Sequence, residues 1–183
     1  MPLTLIDIQE INPRIEVDLK YATPDNFTKE ILYDFKKCLL VKEAALKLSL
    51  VQEEFEAMGL GLKVWDGYRP MAVQWKFWNL IQDERYVSHP LKGGRHTRGT
   101  AVDLTIINKE GVELEMPTSF DDFRELAHRK YMDLPGVAIQ NRTLLESIMK
   151  KHGFIGIETE WWHFDLEGWE SYPPLEKYDC LNA

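Results

Sequence analysis

Arg95-His96-Thr97-Arg98-Gly99-Thr100-Ala101-Val102-Asp103-Leu104-Thr105-Ile106 is the stretch on which the fold turns. Its first half closes a polar, glycine-containing segment and predicts a loop over 88–100. Its second half predicts a strand over 101–107, with Val102, Leu104 and Ile106 on the core face and Ala101, Asp103 and Thr105 on the other. Asp103 is then a carboxylate beside an apolar wall, and a buried carboxylate needs a partner or a metal. His96 and Asp103 are an odd number of positions apart, so a uniform strand would point them to opposite faces. A bend or bulge at Arg98-Gly99, which glycine permits, returns both to one side.

Outward from this stretch the chain alternates element types without a regular βαβ rhythm. Strand patterns are predicted over 15–21, 61–66 and 154–166. Helical spacing is predicted over 41–58, stopped by Gly59, and over 141–152, stopped by Gly153. Pro70 opens a helix reaching to residue 82, and 120–129 reads as another. The segment 22–28, with Pro24, Asp25 and Asn26, reads as a loop. No glycine-rich phosphate loop follows a strand. The expected class is α+β, with helices on a small, mostly antiparallel sheet. A chain of 183 residues suits one domain, 1–183.

With 22 basic and 30 acidic residues the net charge is −8. No Lys/Arg block supplies the footprint that nucleic acid requires, so nucleic acid is excluded as a partner. No apolar run is long enough to span a bilayer, and Met1 to Asp7 lacks the basic start and apolar run of a signal peptide. The expectation is a cytoplasmic protein without a membrane partner. Cys38 and Cys180 belong to no metal or redox motif and read as idle thiols. His89, His128 and His152 read as non-ligands, and Trp75 and Trp78 as core.

The second chemical stretch is Glu158-Thr159-Glu160-Trp161-Trp162-His163-Phe164-Asp165. Strand geometry points Glu160 and His163 apart, so a bent conformation is needed to aim both at one centre. His96, Asp103 and His163 would then form a two-histidine, one-carboxylate set of the kind that holds catalytic zinc. A neighbouring glutamate would act as proton acceptor. On residue chemistry alone Glu158 and Glu160 are interchangeable in that part. Asp165 and the remaining glutamate read as solvated or as partners of the ligands.

The paired patterns His-x-x-Gly-x-Ala-x-Asp and Glu-x-x-His resemble the D-alanyl-D-alanine dipeptidases of the D,D-peptidase/hedgehog fold. The likeness extends to Val17–Thr28, to Asp66-Gly67-Tyr68-Arg69-Pro70 and to Gln140-Asn141-Arg142, and so covers nearly the whole chain. It implies one zinc ion per chain on His96, Asp103 and His163, Glu160 as general base, and Arg69 stabilising the oxyanion. It implies a small dipeptide substrate, with Tyr21 and Asp121 lining its site. The register leaves Asp121 exchangeable with Asp122, and Asp121 also reads as a helix cap. Gly94 and Arg95 stand where the family carries Ser-Ser, so the Gly94 N–H and the Arg95 guanidinium become the candidates for holding a substrate carboxylate. Two alternatives are a zinc D,D- or L,D-carboxypeptidase on peptidoglycan peptides and a non-catalytic zinc-stabilised binding module. Oligomeric state is not specified by any of these patterns.

Overall fold

Ala44, Ala45, Leu48, Val51 and Phe55 are all fully buried, and their spacing marks one stripe of a helix. Burying each of the larger side chains contributes about 1.5–3 kcal/mol, so this stripe seats the helix on the sheet. The computed structural model describes residues 4–175. In chain order the elements are β1 (Leu5–Asp7), α1 (Ile8–Ile11), β2 (Glu16–Val17), β3 (Leu39–Val41), α2 (Lys42–Glu56), β4 (Leu60–Asp66), α3 (Met71–Leu80), β5 (Ala101–Asn108), α4 (Gly136–Lys151), β6 (Phe154–Ile157) and β7 (Glu160–Leu166). Short 3-10 turns lie between them, at Lys20–Ala22 and His96–Arg98 among others.

Five strands form one sheet in the order β2-β4-β5-β7-β6, and β1 pairs with β3 in a separate two-stranded sheet. Only β2 and β4 run parallel; the other pairs are antiparallel. The α+β expectation therefore holds. Helices α2 and α4 pack on the sheet and on each other. They end as the sequence predicts, at Gly59 (φ +73°) and Gly153 (φ +82°), where the left-handed backbone suits glycine. Among the described residues no helix is long and apolar enough to cross a membrane.

Four expectations need correction. The strand over 15–21 shrinks to Glu16–Val17, and Lys20–Ala22 is a 3-10 turn. The chain bends because the Asn26 amide gathers the carbonyls of Lys20, Thr23 and Glu30 at 2.6–3.1 Å. The helix over 120–129 does not form; only Glu125–Ala127 makes a 3-10 turn. Asp121 sits at φ +58°, incompatible with a helix, while the Asp122 carboxylate accepts the Arg124 N–H in an Asx turn. The single strand over 154–166 is a hairpin, β6 and β7, turning at Glu158-Thr159. Trp75, read as core, is 38 % exposed and meets the His89 ring edge-on. Cys38 is buried and free; Cys180 lies outside the described residues.

Candidate active site

Three strands and one turn carry the chemistry. The 3-10 turn His96–Arg98 ends at Gly99, at φ +68°. A side chain at Gly99 would overlap Leu5, so glycine is required there for both conformation and space. The turn puts His96 over β5, the bend that the odd separation from Asp103 demanded. Asp103 pairs with Asp66 on β4 and with His163 on β7. The register of β4 shifts at Trp65, which brings Asp66 opposite Asp103. In β7, Phe164 pairs with Gly156 but Glu160 pairs with Ile157, leaving Trp161, Trp162 and His163 without partners on β6. That bulge turns Glu160 and His163 to the same side, with Glu160 Oε2 3.8 Å from His163 Nδ1.

His96, Asp103 and His163 form a buried triangle. His96 Nε2 lies 3.1 Å from His163 Nδ1. The Asp103 carboxylate lies 3.0 Å from His163 Nδ1 and 3.3 Å from His96 Nε2. A tetrahedral metal with bonds of about 2.0–2.1 Å to nitrogen and oxygen has ligand–ligand edges of roughly 3.3 Å, so the triangle has the right size. The tautomers agree. His96 Nδ1 donates to the Gly67 carbonyl at 2.7 Å, and His163 Nε2 donates to Asp165 at 2.7 Å. Each ring therefore turns its other nitrogen inward, toward the Asp103 carboxylate. The converging ligand atoms hold a place for a cation, either a proton on His163 or a metal ion.

The electrostatics point the same way. Burial disfavours charge on His163, but Asp165 and Asp103 outweigh it and push its pKa up to about 10. Burial would raise Asp103, yet His96 and His163 hold it below the ordinary carboxylate range. The cluster thus stabilises positive charge at its centre. Among the described residues, His96, Asp103 and His163 are the one set whose ligand atoms converge in this way.

Glu160 is 6 % exposed. Burial pushes its carboxyl up to about 8; Asp103 and Asp165 add to the rise, and His163 and Arg69 oppose it. Arg69 donates to Asp66 through two nitrogens at 3.2 and 2.7 Å and to Gln74 Oε1 at 3.0 Å. Its guanidinium lies over Phe77 at 4.7 Å and 3.9 Å from Asp103. Burial alone would weaken its hold on a proton, but Asp66 reverses this and keeps the group charged. Asp66 is fully buried and also accepts from the Tyr33 hydroxyl and the Gly67 N–H.

Asp121 accepts from the Tyr21 hydroxyl at 2.8 Å. It forms no ion pair among the described residues, and burial pushes its carboxyl well above the usual range, despite the hydrogen bond from Tyr21. No helix follows it, so the capping role falls away. Asp122 instead pairs with the exposed Arg124. Arg95 lies 3.3 Å from Asp165 and 4.9 Å above the Trp169 ring. Gly94 lies beside the Gln74 side chain. Tyr21, Arg69, Gly94, Arg95, His96, Asp103, Asp121, Glu160 and His163 all line one pocket. Of the two tryptophans, Trp162 lines that pocket, while Trp161 packs edge-on against Trp65. Glu158 turns away to Lys130; His152 pairs with Glu54 and His128 with the Tyr86 hydroxyl. Sequence reasoning missed Gln74, which joins Arg69 to the Ser88 carbonyl, and Arg129, whose partners are distant in sequence and leave no local pattern.

A sheet with helices packed on it, carrying a two-histidine, one-carboxylate cluster beside a buried glutamate, defines a metallopeptidase. Residues 1–178 match the peptidase M15 family, D-ala-D-ala dipeptidase. The chain is 40 % identical over 178 residues to a D-alanyl-D-alanine dipeptidase of Escherichia coli (strain K12), covering 97 % of this chain and 92 % of that one. It is 32 % identical over 187 residues to a D-alanyl-D-alanine dipeptidase of Enterococcus faecalis (strain ATCC 700802 / V583), covering 91 % and 92 %. Its fold is similar to that of the LdcB LD-carboxypeptidase, with a TM-score of 0.55 at 19 % identity, over 90 % of this chain and 68 % of that one. The chain belongs to the D-ala-D-ala dipeptidase family.

Proposed function

We propose that this chain hydrolyses D-Ala-D-Ala, or a closely related dipeptide, at one zinc ion per chain held by His96, Asp103 and His163. The observation that carries the metal is the convergence of three buried ligand atoms on one point. The donor set fits zinc, whose catalytic sites take three protein ligands and keep a fourth position open. When bound, zinc supplies a Lewis acid for the scissile carbonyl and lowers the pKa of water to about 7.

The remaining work falls to this chain's side chains. Glu160 takes a proton from the attacking water and returns it to the leaving amine, and an elevated carboxyl pKa suits both transfers. Arg69, already fixed by Asp66 and Gln74, offers positive charge to the oxyanion without reorganising. Asp121, held by Tyr21, takes the substrate ammonium. The Gly94 N–H and the Arg95 guanidinium take the carboxylate. The substrate follows from the relatives, both named D-alanyl-D-alanine dipeptidases.

A carboxyl that recognises a free amine favours a dipeptide over a longer peptide, whose chain continues at that point. The test is hydrolysis of a panel of D,D- and L,D-dipeptides and one muropeptide by zinc-loaded protein. We expect D-Ala-D-Ala to be cleaved, cleavage to stop with a chelator and return with zinc, and the muropeptide to be spared. Cleavage of the muropeptide alone would replace this reading with a carboxypeptidase, and inertness toward every substrate would replace it with a binding module.

A further inference from the structure

The bulge in β7 needs something to hold it. A regular antiparallel pairing would place Glu160 and His163 on opposite faces, and here three consecutive residues of β7 have no partner on β6. The group that spans this gap is Arg129, whose side chain is only 7 % exposed. Its Nε donates to the Ile157 carbonyl at 2.7 Å. One terminal nitrogen donates to the carbonyls of Trp161 and His163 at 3.1 and 2.7 Å. The other lies 3.4 Å from Glu146. The guanidinium sits 4.4 Å over the Phe164 ring, and the Arg129 N–H donates to the Glu158 carbonyl at 2.8 Å. One planar cation therefore ties the last residue of β6 to residues within the bulge of β7.

Gly156 makes room for it. Any side chain there would overlap the guanidinium, and its backbone does not lie in the left-handed region, so space is what calls for glycine. Lysine cannot substitute for the arginine, because a single ammonium cannot hold the planar fork that reaches three carbonyls. Arg129 does not itself line the pocket and offers no ligand atom to the cluster; it reaches the site only through the backbone carbonyls it holds.

We propose that Arg129 is a positioning residue: it clamps the β7 bulge and thereby sets Glu160 and His163 on one side of the strand. This rests on the reading of His163 as a metal ligand and Glu160 as the base. Groups that orient metal ligands from behind typically contribute about 10–100-fold in metal affinity or activity.

The experiment uses the zinc-loaded full chain and reads kcat, KM, zinc affinity by competition with a chromophoric chelator, and thermal stability. For Arg129→Gln and Arg129→Lys we expect kcat and zinc affinity each to fall about 10–100-fold, with KM changed less than about twofold. Gly156→Ala leaves Arg129 in the chain but displaces its guanidinium, and should reproduce both losses. The double variant Gly156→Ala/Arg129→Gln should be no worse than either single one, since both act through one contact. If the Arg129 variants fail to fold, Gly156→Ala decides. Glu146→Gln, which leaves the three carbonyl bonds intact, should keep kcat. A lowered melting temperature with unchanged kcat and zinc affinity in the folded variants overturns the proposal. Glu160→Gln run in parallel separates the two ideas: if it keeps full turnover, the site reading has failed; if it loses turnover while Arg129→Gln does not, only the clamp has failed.

Discussion

His96, Asp103 and His163 are carried by backbone register, whereas Tyr21 and Asp121 are carried by contacts between two irregular segments. Asp103 and His163 are direct cross-strand partners, and His96 hangs from a turn tied to Arg69 N–H and closed by Gly99. Turning Asp103 or His163 off the site requires breaking a ladder, and turning His96 off it requires opening the 3-10 turn. Tyr21 sits in a 3-10 turn and Asp121 in a segment with a positive φ. One side-chain hydrogen bond joins the two, and rings pack around it: Tyr21 packs on Phe120 and Phe77, and Phe27 on Phe123. The strands carry the reacting centre, and a site built on strands is set more precisely than one built on loops. The loops set what the centre is offered, and loops tolerate change.

The sharpest way to break this comparison is to strike both halves and read metal and turnover separately. Asp103→Ala should abolish activity and reduce zinc from about one ion per chain to near none by atomic absorption, because a catalytic site has only three protein ligands. Glu160→Gln should keep the zinc and lose about 10²–10⁴ in kcat. If Glu160→Gln loses its zinc as well, Glu160 is a ligand and the strand half holds a different set. Asp121→Asn belongs to the other half. It should retain zinc and most of kcat while raising KM for a free dipeptide about 10–100-fold, as expected when a charge-assisted bond of about 1.5–3 kcal/mol is lost. A fall in zinc content with Asp121→Asn would show that the two halves are not separable.

Arg69 tests where the halves meet, since it lies over Phe77 and Tyr21 and near Asp103. Arg69→Lys keeps the charge but loses the two-point grip on Asp66. The expected loss is about 10²–10³ in kcat, the range seen when an oxyanion donor is removed, with zinc retained. A rise in KM with kcat unchanged would move Arg69 from the reacting centre to substrate binding.

The strand half was partly legible because glycine and alternation are local signals. Gly99 announced the bend that joins His96 to Asp103, and Val102-Leu104-Ile106 announced which face of β5 is core. The β7 bulge was not legible in position. Strand periodicity in Glu160–His163 argues against it, and the guanidinium that spans it comes from Arg129, outside the hairpin. That Tyr21 and Asp121 line the site was legible only through family register, and the hydrogen bond between them was not legible. Alternation over 15–21 predicts a strand that the Asn26 amide bends away, and the apolar residues of 120–129 serve an aromatic cluster instead of a helical stripe.

The smallest expected effect is the most informative about how the loop half is held. Tyr21→Phe removes one hydroxyl from the Asp121 carboxyl and leaves the ring contacts in place. A hydrogen bond of this kind contributes about 0.5–1.5 kcal/mol, so KM should rise roughly 2- to 10-fold with kcat and zinc unchanged. If Asp121→Asn raises KM but Tyr21→Phe does not, Asp121 is aimed by its own left-handed backbone and the surrounding rings, and the loops are stiffer than one hydrogen bond implies. If Tyr21→Phe instead matches Asp121→Asn, the hydroxyl is the element that fixes the carboxyl, and substrate recognition depends on one contact joining two irregular segments.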